Sequence, residues 1–338
     1  MSACPKTMVH GPCGGVHPDG TCEIGGLRCT FLAAPSGPLT TEIPAPDRAR
    51  SGLGARELMA LWDRRPIITV ELASAPLDVE AQRVAAAAIA GHADAALLGD
   101  APWARVQLPP SLRAQIVASE GVRPWASLTC RDRNRVALEG ELAGLAAIGV
   151  PAIHCLTGDH PLLGHRPDAA PVFDLDSTRL ASLASGTGMV VSVAESPSAP
   201  PRGRRPARMA AKAAAGAQVC FVNHAAEPGE VEDFVGALRE LTPGVRCVVC
   251  VPLVLSEAGV ERLAAFVPGA VVPVGALAAT VADDPVGGAV RAAVSQATAL
   301  LEVDGVDGID LSAAAGPGEE LQVAGALALA ADALGGGA

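Results

Sequence analysis

Glu71, Asp100, Thr129, Asp159, Glu195 and Asn223 each close or closely follow a short apolar run of the chain. If those runs are parallel strands of an α/β barrel, their C-terminal ends converge on one mouth and the six residues form one set. Four carboxylates gathered there repel one another, which raises the pKa of at least one and equips it to donate a proton near neutrality. For Asp100 and Glu195 the plain alternative is to cap the helix that follows. Asp159 leads the set: in CLTGDHP, residues 155–161, it lies just past a strand and after Gly158, where backbone can approach a ligand closely.

Two further groups flank this mouth. In RDRN, after the third run, Arg131 and Asn134 offer charge-assisted hydrogen bonds to a cofactor phosphate or ribose; the bland version is a salt-bridged loop with Asn134 capping a helix. His160 and His165 lack a third partner at metal spacing and read as polar loop residues, His160 with a cofactor contact in reach.

The elements that must position these groups are legible as alternation. Apolar runs predict strands at 67–73, 95–99, 124–129, 152–156, 189–194, 218–222, 246–251 and 308–311. Helical patterns fall at 78–91, 134–149, 177–184, 207–216, 230–241, 256–266 and 281–301, several ending at a glycine suited to a left-handed cap. Such alternation builds parallel βα units, and eight strands is the number that closes a barrel. A doubly wound sheet would usually carry a glycine-rich phosphate loop after its first strand, and VELASAPLD has none.

Half of the 338 residues are apolar, aromatics make up 2% and tyrosine is absent, so a flat cofactor finds few rings to stack on. A net charge of −11 argues against nucleic-acid partners and anionic membranes, which select clustered Lys and Arg. The basic cluster PRGRRPAR, from Arg202 to Arg208, can hold a phosphate, although its simplest form is a solvated loop. No apolar run approaches the ~18 residues of a membrane span and no signal-peptide core is present, so a cytoplasmic enzyme is expected.

Nine cysteines fall into two groups. Cys130, Cys155, Cys220, Cys247 and Cys250 lie on or beside apolar strands and read as small core residues. Cys4, Cys13, Cys22 and Cys29 lie in a glycine- and proline-rich stretch too poor in apolar surface to fold unaided, and in a reducing compartment thiolates ligate metal more readily than they pair. Their spacing, with eight, eight and six residues between successive cysteines, chooses no particular metal. The expected fold class is α/β: a (β/α)8 barrel over 52–338, preceded by a cysteine-rich metal-binding segment at 1–32 and a linker at 33–51 rich in Pro, Ser and Thr.

Several segments together resemble one family. ITVELASAP, DAALLGDAPWARVQLPPS, LTCRDRN, GVPAIHCLTGDHP, PVFDLDS, KAAAGA, VPGAVVP and GVDGIDL follow the order found in methylenetetrahydrofolate reductases. CPK, GPCGG and GTCE resemble the cysteine-rich methylenetetrahydrofolate reductase C-terminal domain, here placed ahead of the barrel. The resemblance, which covers nearly all the chain, implies a barrel in which FAD passes hydride to 5,10-methylenetetrahydrofolate, giving 5-methyltetrahydrofolate. It implies that Glu71 is the acid that protonates folate N10 as the ring opens to an iminium, and that Asp159 contacts the pterin. An amine leaving group needs a positioned acid, and a second carboxylate stabilises a cation. Asp100 and Asn223 then fall on the substrate side, and Thr129, Arg131, Asn134, Gly158, His160 and Lys212 on the cofactor side. For the four cysteines the resemblance favours a 4Fe-4S cluster over zinc.

Departures from the family concentrate on the cofactor. Asn223 replaces a folate-contacting glutamine, Ser127 replaces a His or Gln, and SPSAPPRGRRPAR replaces a flavin-contacting segment in which only Lys212 plainly matches. Either flavin is held by LTCRDRN, the LTGD loop, Lys212 and the arginines near Arg204, or hydride comes directly from NADH or NADPH. Two other readings stay open: a folate-binding or electron-relaying subunit whose cysteine segment docks an electron-transfer partner protein, and a folate-dependent one-carbon transferase. A homo-oligomer is compatible with each.

Overall fold

The computed structural model describes residues 4–32, 49–72, 75–100, 104, 106–224, 227–266, 280–281, 284–313 and 315–337, without the side chains of 264–266. Most of the expected linker and the VPGAVVP motif lie outside the described residues. Eight parallel strands close a barrel in chain order: β1 Ile67–Glu71, β2 Ala95–Leu98, β3 Pro124–Thr129, β4 Ala152–Leu156, β5 Val190–Glu195, β6 Val219–Val222, β7 Arg246–Leu253 and β8 Val306–Ala313. The last strand pairs back to the first, with Thr69 opposite Asp310. The α/β barrel expected from the alternation is therefore the fold.

Helices α1 Leu53–Trp62, α2 Val79–Ile89, α3 Pro110–Ser119, α4 Arg135–Ala147, α5 Ser177–Ala184, α6 Arg205–Ala214, α7 Pro228–Leu241, α8 Glu257–Phe266, α9 Pro285–Leu301 and α10 Glu320–Ala333 complete the described elements. Helices α1, α3 and α10 are not among the sequence expectations. The first precedes the barrel, the second buries Arg113 on its inner face, and the third is so rich in alanine and leucine that no polar face marks its period.

Strand alternation divides the barrel into an apolar and a polar end. Residues facing the helices, such as Ile68, Val70, Ile153, Val191, Val193, Ile309 and Leu311, join one large core. Inward residues at the N-terminal end, Ile67, Trp125, Val219, Phe221 and Val248, join a second core closed by Leu58 and Trp62 of α1. Trp125 stands edge-on to Trp62 at 6.0 Å and to Phe221 at 5.2 Å, so much of the small aromatic complement fills the barrel floor. Inward residues one layer higher are polar: Thr69 and Glu71 on β1, Ser127 and Thr129 on β3, Asp310 and Ser312 on β8.

Residues 4–32 lie against this polar end. Two antiparallel bridges, Val16 to Cys22 and Thr21 to Arg28, and a short turn at Thr30–Leu32 are their regular structure. Thr7 Oγ1 donates to the carbonyl of Phe173 at 2.6 Å, and His10 Nδ1 pairs with the buried Asp176 at 2.8 Å. These contacts seat the segment on the loops that follow the strands.

Candidate active site

A cavity of about 240 Å³ opens at the C-terminal ends of the strands. Of the residues picked out in the sequence, Glu71, Asp100, Thr129, Arg131, Gly158, Asp159, Lys212, Asn223 and Cys13 line it, as does Glu195. Asn134 and His160 do not: Asn134 caps α4 by accepting from Ala137 N at 3.1 Å, and His160 stacks on Phe173 while its Nδ1 accepts from Leu162 N.

Glu71 ends β1 with its carboxyl over Gly99, where a Cβ would lie 2.5 Å from Oε1. Glycine at 99 is what gives the acid its room. Burial, and then the charge of Asp310, push the Glu71 carboxyl up to about 8, with Arg113 pulling the other way. The group is therefore mostly protonated at neutral pH. The guanidinium of Arg113 is held by the carbonyls of Leu98 and Gly99 at 3.3 and 3.0 Å, which fixes this opposing cation on the wall.

Asp310 is a site residue that sequence reading missed. It accepts from Thr69 Oγ1 at 2.7 Å, and burial pushes its carboxyl up to about 6. Above that pH its charge repels a deprotonated Glu71. Replacing it with Asn is therefore expected to lower the Glu71 pKa, measured by 13C NMR titration of the labelled Glu71 carboxyl; an unmoved titration would show that the two carboxyls are uncoupled. The missed signal was parity. The run GIDL hid an inward face whose next member, Ser312, is also polar, and β8 extends to 313 because that face looks into a cavity.

After the neighbouring strands β2 and β3, Arg131 pairs with Asp100 at 2.8 Å and with Asp132 at 3.2 Å. Gly158 takes φ of +87°, and a Cβ there would press at 3.1 Å on both Thr129 and Arg131. The turn that presents Asp159 thus fits glycine in both conformation and space. Asn223 donates to Ser196 Oγ at 2.9 Å. Two buried polar atoms on the cavity wall, Ser127 Oγ and His224 Nδ1, have no hydrogen-bond partner among the described residues. Unmet groups of this kind suit a polar ligand. Burial lowers His224 to about 4 and His154 to about 3, so both are neutral imidazoles.

Glu195 has a different part from that of an acid in the mouth. Its parity on β5 matches Val191 and Val193, which face the helices, and it turns toward α6. There it pairs with Arg205 at 3.0 Å, Arg208 at 2.6 Å and Lys212 at 3.2 Å, with all four side chains buried. Burial opposes its charge, yet Arg208, Lys212 and Arg205 hold its carboxyl far below the usual range. The PRGRRPAR cluster is thus only partly a solvated loop: Arg202 is exposed, while Arg205 and Arg208 on α6 are buried.

Two of the three cations in this cradle, Arg205 and Lys212, are engaged by the protein itself. Arg205 spends its donors on Glu195 and on the carbonyls of Pro12, Cys13, Ala199 and Pro200, while Lys212 donates to Ala194 O and Glu195. The position of Gly11 leaves the backbone of the N-terminal segment against Arg208, where a Cβ would meet Cδ at 3.2 Å. The chain's own carboxylate and carbonyls thus hold Arg205 and Lys212, whereas Arg208 on the cavity wall keeps a buried Nε with no hydrogen-bond partner among the described residues.

The cysteines do not form the expected metal site in this structure. Cys4, Cys13, Cys22 and Cys29 are partly buried and not joined in disulfides, and among the described residues no three His, Cys, Asp or Glu side chains are arranged to ligate a metal. Burial pushes the Cys22 and Cys29 thiols up. No helix among the described residues is long and apolar enough to cross a membrane.

Residues 1–36 match the family described as "Methylene-tetrahydrofolate reductase C terminal". No curated protein sequence matches the chain. Among solved structures, an uncharacterized protein from Clostridium thermocellum that binds two copies of 5-methyl-5,6,7,8-tetrahydrofolic acid is similar at a TM-score of 0.58 and 10% identity, over 82% of this chain and 97% of that one. Tryptophan synthase from M. tuberculosis, in an open form, aligns over 83% of this chain and 99% of its own at TM-score 0.47 and 12% identity. The resemblance read from the sequence thus meets a family match in the N-terminal segment and a matching barrel in the rest.

Proposed function

We propose that this chain, whose first 36 residues match the methylenetetrahydrofolate reductase C-terminal family, binds a reduced folate in the barrel mouth and works as an oxidoreductase on it. The reaction is the reduction of 5,10-methylenetetrahydrofolate to 5-methyltetrahydrofolate. The observation that carries the reading is Glu71: a half-buried carboxyl, protonated at neutral pH, on the wall of a cavity that also presents Asp159.

The chemistry asks for such an acid. Opening the five-membered ring breaks the bond between the one-carbon unit and N10, and the departing amine must take a proton. Glu71 supplies it, leaving an N5 iminium cation whose charge Asp159 stabilises across the mouth. A hydride then adds to the iminium carbon. NADH or NADPH fits that role better than a resident flavin, because Arg205 and Lys212 of α6 are already engaged. Each turnover consumes one hydride and one proton, and the proton lost from Glu71 is restored from solvent.

Purified protein supplied with methylenetetrahydrofolate and NADH or NADPH should form 5-methyltetrahydrofolate. Calorimetric binding of 5-methyltetrahydrofolate without turnover would instead favour a folate-binding subunit, and absence of both would remove the folate reading. An absorbance spectrum of the freshly purified protein adds a direct check on flavin.

A further inference from the structure

The cysteine-rich segment contributes side chains to the cavity wall that the proposed chemistry does not use. Lys6 and Glu23 form an ion pair there, with side chains 5% and 4% exposed. Glu23 also accepts from the backbone N–H of His160, so it holds the loop that carries Asp159. Facing Glu23 in this pair, on a cavity wall shared with Asp159, Lys6 is an ammonium with a carboxylate at its head. Two glycines fit the segment to this place. A Cβ at Gly15 would lie 1.7 Å from Glu23 Oε2, and one at Gly14 would meet Ser196 Oγ at 2.6 Å.

A buried ion pair is weak evidence for stability, because desolvation offsets most of its attraction and an apolar pair of similar volume often serves as well. Its position on a ligand cavity, beside Asp159, points to recognition. We propose that Lys6 is a specificity-determining residue of the site, binding the 4-oxo group of the pterin, with Glu23 as the positioning residue that aims it; this rests on the folate reading above. The 2-amino-4-oxo edge of a reduced pterin presents adjacent N–H donors and one carbonyl acceptor. A carboxylate such as Asp159 accepts from the donors, and an ammonium donates to the carbonyl oxygen. The segment ahead of the barrel therefore completes the site.

The test compares two probes on the full chain by calorimetry: 5-methyltetrahydrofolate and its 4-amino analogue, in which the acceptor oxygen becomes a donor. Wild type is expected to prefer the 4-oxo compound about 10- to 100-fold, the range of a charge-assisted hydrogen bond. In Lys6→Met most of that preference disappears, and in Glu23→Gln it shrinks. A general loosening of the segment would weaken both probes and leave their ratio intact. An unchanged ratio in Lys6→Met overturns the proposal. So does a wild type that binds the two probes equally, a result that needs no variant to fold. If wild type binds neither probe, it is the folate reading that fails.

Discussion

Glu71→Gln is expected to lower turnover of methylenetetrahydrofolate by about 10²- to 10⁴-fold, the usual worth of a positioned general acid. Affinity for 5-methyltetrahydrofolate should stay within about threefold, because the amide keeps the shape of the carboxyl and the chemistry is what it loses. In wild type the rate should fall as pH rises through about 8, where burial and Asp310 place the Glu71 carboxyl. The same shift has a stability consequence with a definite sign. The folded state holds a proton on Glu71 between the ordinary carboxylate pKa of 4.5 and about 8, whereas the unfolded chain has released it. Stability from this group is therefore complete below 4.5 and lost as pH climbs to about 8, and the glutamine variant should lack that decline. Urea unfolding across this pH interval measures it. Retained turnover with an unmoved basic limb would rule out Glu71 as the proton donor.

The residues that sequence reading placed well are those whose role follows from strand position. Glu71, Asp100, Thr129 and Asp159 follow clear apolar runs, and strand ends in a parallel barrel face one cavity wherever the runs begin. What position could not supply was direction and long-range company. Glu195 ends its strand like the others, but its parity sends it to the helix layer, and only the fold brings Arg205, Arg208 and Lys212 to it. Asn134 sits one residue ahead of α4, where a cap bond competes with any ligand bond. Lys6 and Glu23 were least legible, since no periodicity links a glycine-rich segment to the end of β4 at Leu156, far along the chain. Their contact exists because the segment's glycines let its backbone lie on Ser196 and beneath Glu23.

Glu195→Gln should produce the largest loss of stability of any single change at the mouth. Three buried cations share this carboxylate, and Arg205 carries its hold onward to the carbonyls of Pro12 and Cys13. Removing one partner from a buried ion group leaves uncompensated charge and typically costs about 3–5 kcal/mol. Denaturant unfolding at pH 7 should show a loss of that order, and hydrogen exchange should rise in residues 4–29 as the α6 anchor loosens. The sign with pH is opposite to that of Glu71. A carboxyl held far below its ordinary value contributes stability that is present at neutral pH and is lost only as pH falls through its depressed folded pKa. Lys212 offers a second check, because burial and then Arg208 already lower it to about 8. Combining Glu195→Gln with Lys212→Met removes one of the stranded cations, so the double variant should lose less than the sum of the two single losses. Strict additivity would mean that Glu195 and Lys212 do not act as a unit, and that the N-terminal segment is held to the barrel by contacts other than this cluster.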